Sequence, residues 1–163
     1  MIQIPLTKGY IAIVDDEDAD LRDVLWCVKA DKVNPYAVRG ISQHPQCKQM
    51  LMHRVILQRI LKCELQEGAY VDHINGDTLD NRRSNLRLCT PQQNMWNRRV
   101  MHNTQTGFKG VARNKRSKLN PWKARIRVSG KLVHLGCFPT PEEAHEAYKQ
   151  AAIKYFGEFA RFE

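Results

Sequence analysis

The chain has 163 residues, enough for one medium domain or two small ones, and 42% of them are hydrophobic, which excludes a disordered tail. No run of 18 apolar residues is present, and the start, Met1-Ile-Gln-Ile-Pro-Leu6, lacks the marks of a secretory signal, so a cytoplasmic protein without membrane contact is expected. The net charge of +9 is uneven: residues 1–104 carry 14 basic and 12 acidic side chains, residues 105–163 carry 12 and 5, and nine Lys or Arg with no acid lie between Gly107 and His134, which points to a polyanionic partner.

Residues 7–40 read as short strands joined by turns. Gly9-Tyr-Ile-Ala-Ile-Val14 is strand-like and runs into six carboxylates between Asp15 and Asp23, expected to form a solvated loop. Leu25-Trp-Cys-Val28 and Tyr36-Ala-Val-Arg39 flank Asn34-Pro35 and suggest a hairpin. Helical spacing covers Met50 to Leu61, with Met50, Leu51, Val55, Leu57, Ile60 and Leu61 available for a buried stripe and His53 read as a packed residue.

Gly68-Ala-Tyr-Val71 leads as a short strand into Asp72-His73, followed by the turn signal Asn75-Gly76-Asp77. Thr90-Pro-Gln-Gln93 has the form of a helix start, with Thr90 as N-cap and Gln93 in capping-box position, so Asn94 falls in the first turn. Residues 97–106 read as the helix tail and a linker.

Beyond Gly107, strands are expected at Phe108–Arg113, Trp122–Val128 and Leu132–Phe138, with Ser129-Gly130 as a tight turn. The middle strand alternates Trp122, Ala124, Ile126 and Val128 with Lys123, Arg125 and Arg127. Thr140-Pro-Glu-Glu143 opens a helix to about Phe156, with Ala144, Ala147, Tyr148, Ala151, Ala152 and Tyr155 on one stripe. A three-stranded antiparallel sheet with a helix on one face leaves its basic face for nucleic acid, since a DNA major groove admits β-structure.

The chemistry-bearing side chains lie between Asp72 and Asn94. Phosphodiester hydrolysis needs a cation to stabilise developing charge and a base to take the proton of the attacking water. A hard divalent cation wants oxygen ligands and keeps several waters, so the Asp72 carboxylate and the Asn94 carbonyl suffice, and neutral His73 suits the base. Asn85 is placed to hold the imidazole. Neighbours on a strand point to opposite faces, so Asp72 and His73 share a site only where the strand end bends. Cys27, Cys47, Cys63, Cys89 and Cys137 form no C-x-x-C pair, which removes a structural zinc site and leaves reduced, mostly buried thiols as the expectation.

Met52-His-Arg54, Val71-Asp-His-Ile-Asn-Gly-Asp-Thr-Leu-Asp-Asn-Arg82, Ser84-Asn-Leu-Arg87 and Gln93-Asn94 together resemble the HNH homing-endonuclease family of phages and group I introns, over about residues 50–98. That resemblance implies a ββα-metal fold, Asp72 and Asn94 as ligands of a divalent metal (Mg2+ foremost, Mn2+ as an alternative), His73 as general base, and Asn85 bracing the loop and orienting His73. Residues 107–162 resemble the AP2 DNA-binding domain through Gly107-Phe-Lys-Gly-Val111, Trp122-Lys-Ala-Arg-Ile-Arg127, Leu135-Gly-Cys-Phe138 and Thr140-Pro-Glu-Glu-Ala144. In that family the sheet reads the major groove through Arg and Trp. Trp122 and Arg127 match directly, whereas Ala112 and His134 stand where an arginine and a tryptophan are usual.

The expectation is therefore an α+β protein. An HNH nuclease domain spans residues 1–104, and an AP2-like domain over 105–163 contacts double-stranded DNA through Arg113, Trp122, Lys123, Arg125 and Arg127. Its activity would be that of a homing-type endonuclease, nicking as a monomer or cutting both strands as a dimer. A catalytically silent DNA-binding regulator and a non-specific HNH nuclease are the alternatives.

Overall fold

Short antiparallel ribbons are marginal alone in water, and this chain pairs each of them with a helix or a buried polar network. The computed structural model describes residues 1–29, 34–40, 49–99 and 106–162. They divide into two units, Met1–Pro91 and Gln92–Glu163, both mixed α/β with small antiparallel sheets.

In the first unit β1 (Ile2–Pro5) pairs with β2 (Ile11–Val14), and β3 (Cys27–Lys29), β4 (Tyr36–Gly40) and β5 (Gln49–Leu51) form a second sheet. The expected hairpin across Asn34-Pro35 is the β3–β4 pair; residues 30–33 lie outside the described residues. Helix α1 (Met52–Leu61) follows β5 directly. Met50 and Leu51 belong to β5, so the buried stripe shifts: Met52, His53, Ile56 and Leu57 face the core, while Met50 and Leu61 are exposed. Trp26, Ile4, Val14, Met52 and Ile56 are the largest buried apolar side chains of this core.

The acidic stretch is solvated in part, with Asp16, Glu17, Asp20 and Asp23 exposed, but it is not a plain loop. Residues Asp16–Asp23 form 3-10 turns in which Asp18 is fully buried. Asp18 accepts from Arg59 Nη1 of α1 at 3.0 Å and from Arg83 Nε at 2.7 Å, while the Asp15 carboxylate accepts from the Arg83 backbone N–H at 2.7 Å. Burying a carboxylate is tolerable only with such pairing.

Next comes a hairpin, β6 (Tyr70–His73) with β7 (Leu86–Cys89), whose register sets Asp72 opposite Arg87 and His73 opposite Leu86. Its connection carries the 75–85 loop, and β2 supports that loop from outside: Ile13 N–H donates to Leu79 O at 2.9 Å, and Asn81 N–H donates to Ile13 O at 2.8 Å.

Helix α2 (Pro91–Trp96) packs with the second unit. Trp96 stacks on Phe156 at a centroid distance of 4.4 Å, and Lys109 Nζ donates to the Trp96 and Arg98 carbonyls at 2.6 and 2.8 Å. Through these bonds Lys109 caps a helix end, and burial there lowers its pKa to about 8. The expected domain boundary at 104/105 lies outside the described residues.

Strands β8 (Val111–Arg113), β9 (Trp122–Val128) and β10 (Lys131–Phe138) make the sheet of this unit, with β9 central and a bulge between His134 and Gly136. The β9–β10 turn has positive φ at both Ser129 and Gly130, the type I′ geometry that suits a right-twisted hairpin. Helix α3 (Pro141–Phe156) starts with Thr140 Oγ1 accepting from the Glu143 N–H at 3.2 Å. Its buried face is Ala144, His145, Tyr148, Ala151, Ala152 and Phe156; Tyr155, expected inside, is exposed because the stripe drifts one residue over the last turn. Gly110 is held at φ +77° where an added Cβ would lie 2.0 Å from the Tyr148 ring.

Among the described residues no helix is long and apolar enough to cross a membrane. Cys63 is exposed and Cys27, Cys89 and Cys137 are half-buried, so the expectation of mostly buried thiols does not hold; Cys47 lies outside the described residues.

Candidate active site

The end of β6 brings two adjacent side chains inside: Asp72 is 4% and His73 5% exposed. Strict alternation would send one of them to solvent. Both are covered because different neighbours lie on the two faces of this short ribbon. Arg87 covers Asp72 from the partner strand, with Nε 2.9 Å and Nη2 2.8 Å from Oδ2. The His73 ring is met edge to face by His53 of α1 at 5.2 Å, with Tyr36 of β4 at 6.3 Å.

Burial lowers the His73 pKa below its ordinary value, outweighing the hydrogen bond to Asn81 and the carboxylates of Asp72, Asp77 and Asp80, which raise it. Burial also takes His53 down to about 3, helped by the proximity of His73 and Arg54. Both imidazoles are therefore neutral at neutral pH, the form in which a histidine accepts a proton.

Asn85 is buried at the end of a single 3-10 turn, Arg83–Asn85. Its Oδ1 accepts from the Asn75 N–H at 2.9 Å, and its Nδ2 donates to Asn75 Oδ1 at 3.0 Å and to Asp80 O at 2.7 Å. One carboxamide thus closes the loop between β6 and β7, and the Asn85 carbonyl accepts from the Ile74 N–H at 2.9 Å. The ring of His73 is met by a different residue, Asn81, whose Oδ1 lies 3.2 Å from Nε2. Asp80 completes the loop, accepting from Asn75 Nδ2 at 2.7 Å and from Arg82 Nη2 at 2.6 Å.

Asn81, Arg87, His53 and Tyr36 escaped the sequence reading of the site. For Arg87 a signal existed: an antiparallel hairpin centred on the 75–85 loop sets a cation opposite Asp72. His53 and Asn81 lie inside the segments that carry the resemblance but without an assigned role, and no local pattern announces Tyr36. Asn94 lies on α2, within the second unit.

In the second unit Arg125 and Arg127 are exposed and Lys123 is half-buried, on the sheet face opposite the buried Ala124 and Ile126. His134 pairs with Arg125, Leu132 with Arg127, and Ala112 and Cys137 with Lys123, so these share the basic face. Arg113 pairs with Trp122, and its guanidinium carbon lies 5.9 Å from the Trp122 ring centroid. By alternation Trp122 and Arg113 belong to the side that α3 covers, at its edge, away from Arg125 and Arg127.

Among the described residues, no group of three or more His, Cys, Asp or Glu side chains is gathered as an all-protein metal cage. Asp72 is the buried carboxylate beside the histidine.

A family model described as HNH endonuclease matches residues 51–96, which span α1, the β6–β7 hairpin and α2. An uncharacterised HNH endonuclease of Acanthamoeba polyphaga mimivirus is 38% identical over 111 residues, 68% of this chain and 56% of that protein. Protein 3.8 of Escherichia phage T7 is 30% identical over 98 residues, 60% of this chain and 78% of that one. The chain spans little more than half the length of the mimivirus relative. Matched by the HNH endonuclease family model over residues 51–96, and similar to a mimivirus protein of the same description, the chain contains an HNH endonuclease domain at residues 51–96.

Proposed function

We propose that the protein is a metal-dependent DNA endonuclease of the homing type, with His73 as general base, Asp72 and Asn94 as metal ligands, and an AP2-like C-terminal region that targets double-stranded DNA. The observation that carries the reading is the buried, neutral His73 beside the Asp72 carboxylate, at the end of β6 where the loop closed by Asn85 begins. Asn94 takes its role from the family pattern. The nuclease region is residues 1–104 and the DNA-reading region residues 105–163.

The donor set fits a hard divalent cation: a carboxylate and an amide oxygen, with no thiolate, leaving room for waters and a phosphate as Mg2+ prefers. Mn2+ has the same oxygen preference. When bound, the cation stabilises charge on the phosphate and the departing oxygen. Arg87 already donates to one oxygen of Asp72 in the folded chain, which fixes the orientation of that carboxylate. His73 takes the proton of the attacking water. Asn85 holds the β6–β7 loop that follows the imidazole.

Lys123, Arg125 and Arg127 supply phosphate affinity or base contacts on the open sheet face. Trp122 and Arg113 contribute from the sheet's edge. A linked DNA-binding region raises the local concentration of the nuclease at its site. One such active site cleaves one strand, so a monomer nicks and double-strand cleavage requires two sites.

Plasmid DNA incubated with the wild type and magnesium is expected to be nicked or linearised, and a chelator or His73→Ala to abolish this. Intact supercoiled plasmid across several DNA sources would favour the silent DNA-binding regulator. Cleavage by His73→Ala at the wild-type rate would remove His73 as the base. Equal affinity for unrelated duplexes at fixed salt would favour the non-specific nuclease.

A further inference from the structure

We propose that Asn81 is a positioning residue that fixes the tautomer of His73, leaving the proton on Nε2 and the basic lone pair on Nδ1. The inference rests on the reading of His73 as general base, but its central observation is independent of activity.

Asn81 is 1% exposed, so every polar atom of its side chain must be matched inside the protein. Its Nδ2 donates to Leu79 O at 3.1 Å, and its backbone N–H is held by Ile13 O at 2.8 Å. The same Leu79 carbonyl accepts from the Ile13 N–H at 2.9 Å. These bonds set the orientation of the carboxamide. Rotating it by half a turn would face Oδ1 against the Leu79 oxygen, two acceptors at hydrogen-bond distance with no proton between them.

Oδ1 therefore points at His73 Nε2, 3.2 Å away. An amide oxygen only accepts, so Nε2 must be the donor. A neutral imidazole carries one proton, so in that form the lone pair resides on Nδ1. His53 and Tyr36 pack against the ring and limit its rotation.

The N-terminal segment thereby acquires a task. Strand β2 grips the loop by two backbone bonds on either side of Asp80, beside the Ile13–Asp80 bridge, and the gripped residue is the one that holds the imidazole. Neither His73 nor Asn81 touches the 1–49 region through a motif visible in sequence. The connection is made by pairing alone.

The test is a long-range 1H–15N correlation spectrum of histidine-labelled full-length protein at one fixed pH near 8. His73 is expected to show the Nε2–H form, and Asn81→Ala to shift its two ring nitrogens toward averaged values. An Nδ1–H form in the wild type, or unchanged His73 signals in Asn81→Ala, would overturn the assignment. In single-turnover cleavage at saturating DNA, Asn81→Ala should lower the rate by about 10–100-fold, the usual cost of losing an orienting partner, with DNA affinity unchanged. A rate within twofold of wild type for Asn81→Ala would also overturn the role. If Asn81→Ala fails to fold, the wild-type spectrum still decides the matter. If the wild type cuts no DNA, the nuclease reading fails while the spectrum still judges Asn81.

Discussion

The Arg83 guanidinium donates through Nε to the buried Asp18 carboxylate at 2.7 Å, joining positions 65 residues apart. Arg59 of α1 shares the same carboxylate and adds a fork onto Asp20, with both Nη atoms at 2.7 Å. Those carboxylates hold the Arg59 pKa above its ordinary value, as Asp18 does for Arg83. Arg83 lies two residues before Asn85, so the acidic N-terminal turn anchors the base of the HNH loop.

Asp18→Ala should therefore destabilise the first unit by about 2 kcal/mol. Breaking a buried pair can cost 3–5 kcal/mol, but the two arginines left behind are about one-third exposed and would be partly hydrated. Urea unfolding read by fluorescence of the buried Trp26 measures the change. A loss below about 0.5 kcal/mol would mean that the network adds little beyond surface pairing.

Acid should weaken the fold below pH 6.5. The folded pKa of His53 is lowered from 6.5 to about 3, so across that window the unfolded chain binds the proton more readily. Stability is then fully present above pH 6.5 and falls as the pH drops toward 3, by about 1–2 kcal/mol between pH 6.5 and 5 for this group. His73, also lowered, acts in the same direction. Comparing denaturation midpoints of wild type and His53→Phe at pH 7 and pH 5 tests this. The phenylalanine variant should lose less on acidification, and identical losses would count against His53.

Replacing Arg125 and Arg127 together by alanine should weaken DNA binding and lower the salt slope by about 2, one unit for each phosphate no longer neutralised. Arg113→Ala should cost less, because Arg113 pairs with Trp122 on the other side of the sheet. Titration of duplex DNA at several salt concentrations gives both slope and affinity. An Arg113 variant weaker than the double variant would place the DNA on the opposite edge.

Gly110→Ala should destabilise the second unit by at least about 2 kcal/mol. Its φ of +77° alone costs a side chain roughly 1–2 kcal/mol, and the new Cβ meets the Tyr148 ring, itself packed on Ile126 and Ala152. A melting curve with near-ultraviolet detection should show the loss. An unchanged melting temperature would require the β8 entry to move away from α3.

The sequence by itself determined the local elements wherever one rule was sufficient. The period-two pattern from Trp122 to Val128 gives a two-faced strand, Ser129-Gly130 a tight turn, Thr140 a capped helix, and the segment from Val71 to Asn94 the HNH motif. Tertiary structure decided what these rules leave open. Six carboxylates in nine residues favour solvent until two arginines, 41 and 65 positions from Asp18, offer their charges. Residues 72 and 73 should part to opposite faces of a strand, yet both are buried because Arg87 covers one and His53 the other. The partner of the His73 ring was likewise invisible, since Asn81 becomes one only when Ile13 pairs with its backbone. Local propensity is carried by neighbours in the chain, whereas burial of charge and the proton position on an imidazole depend on partners that folding brings from far along it.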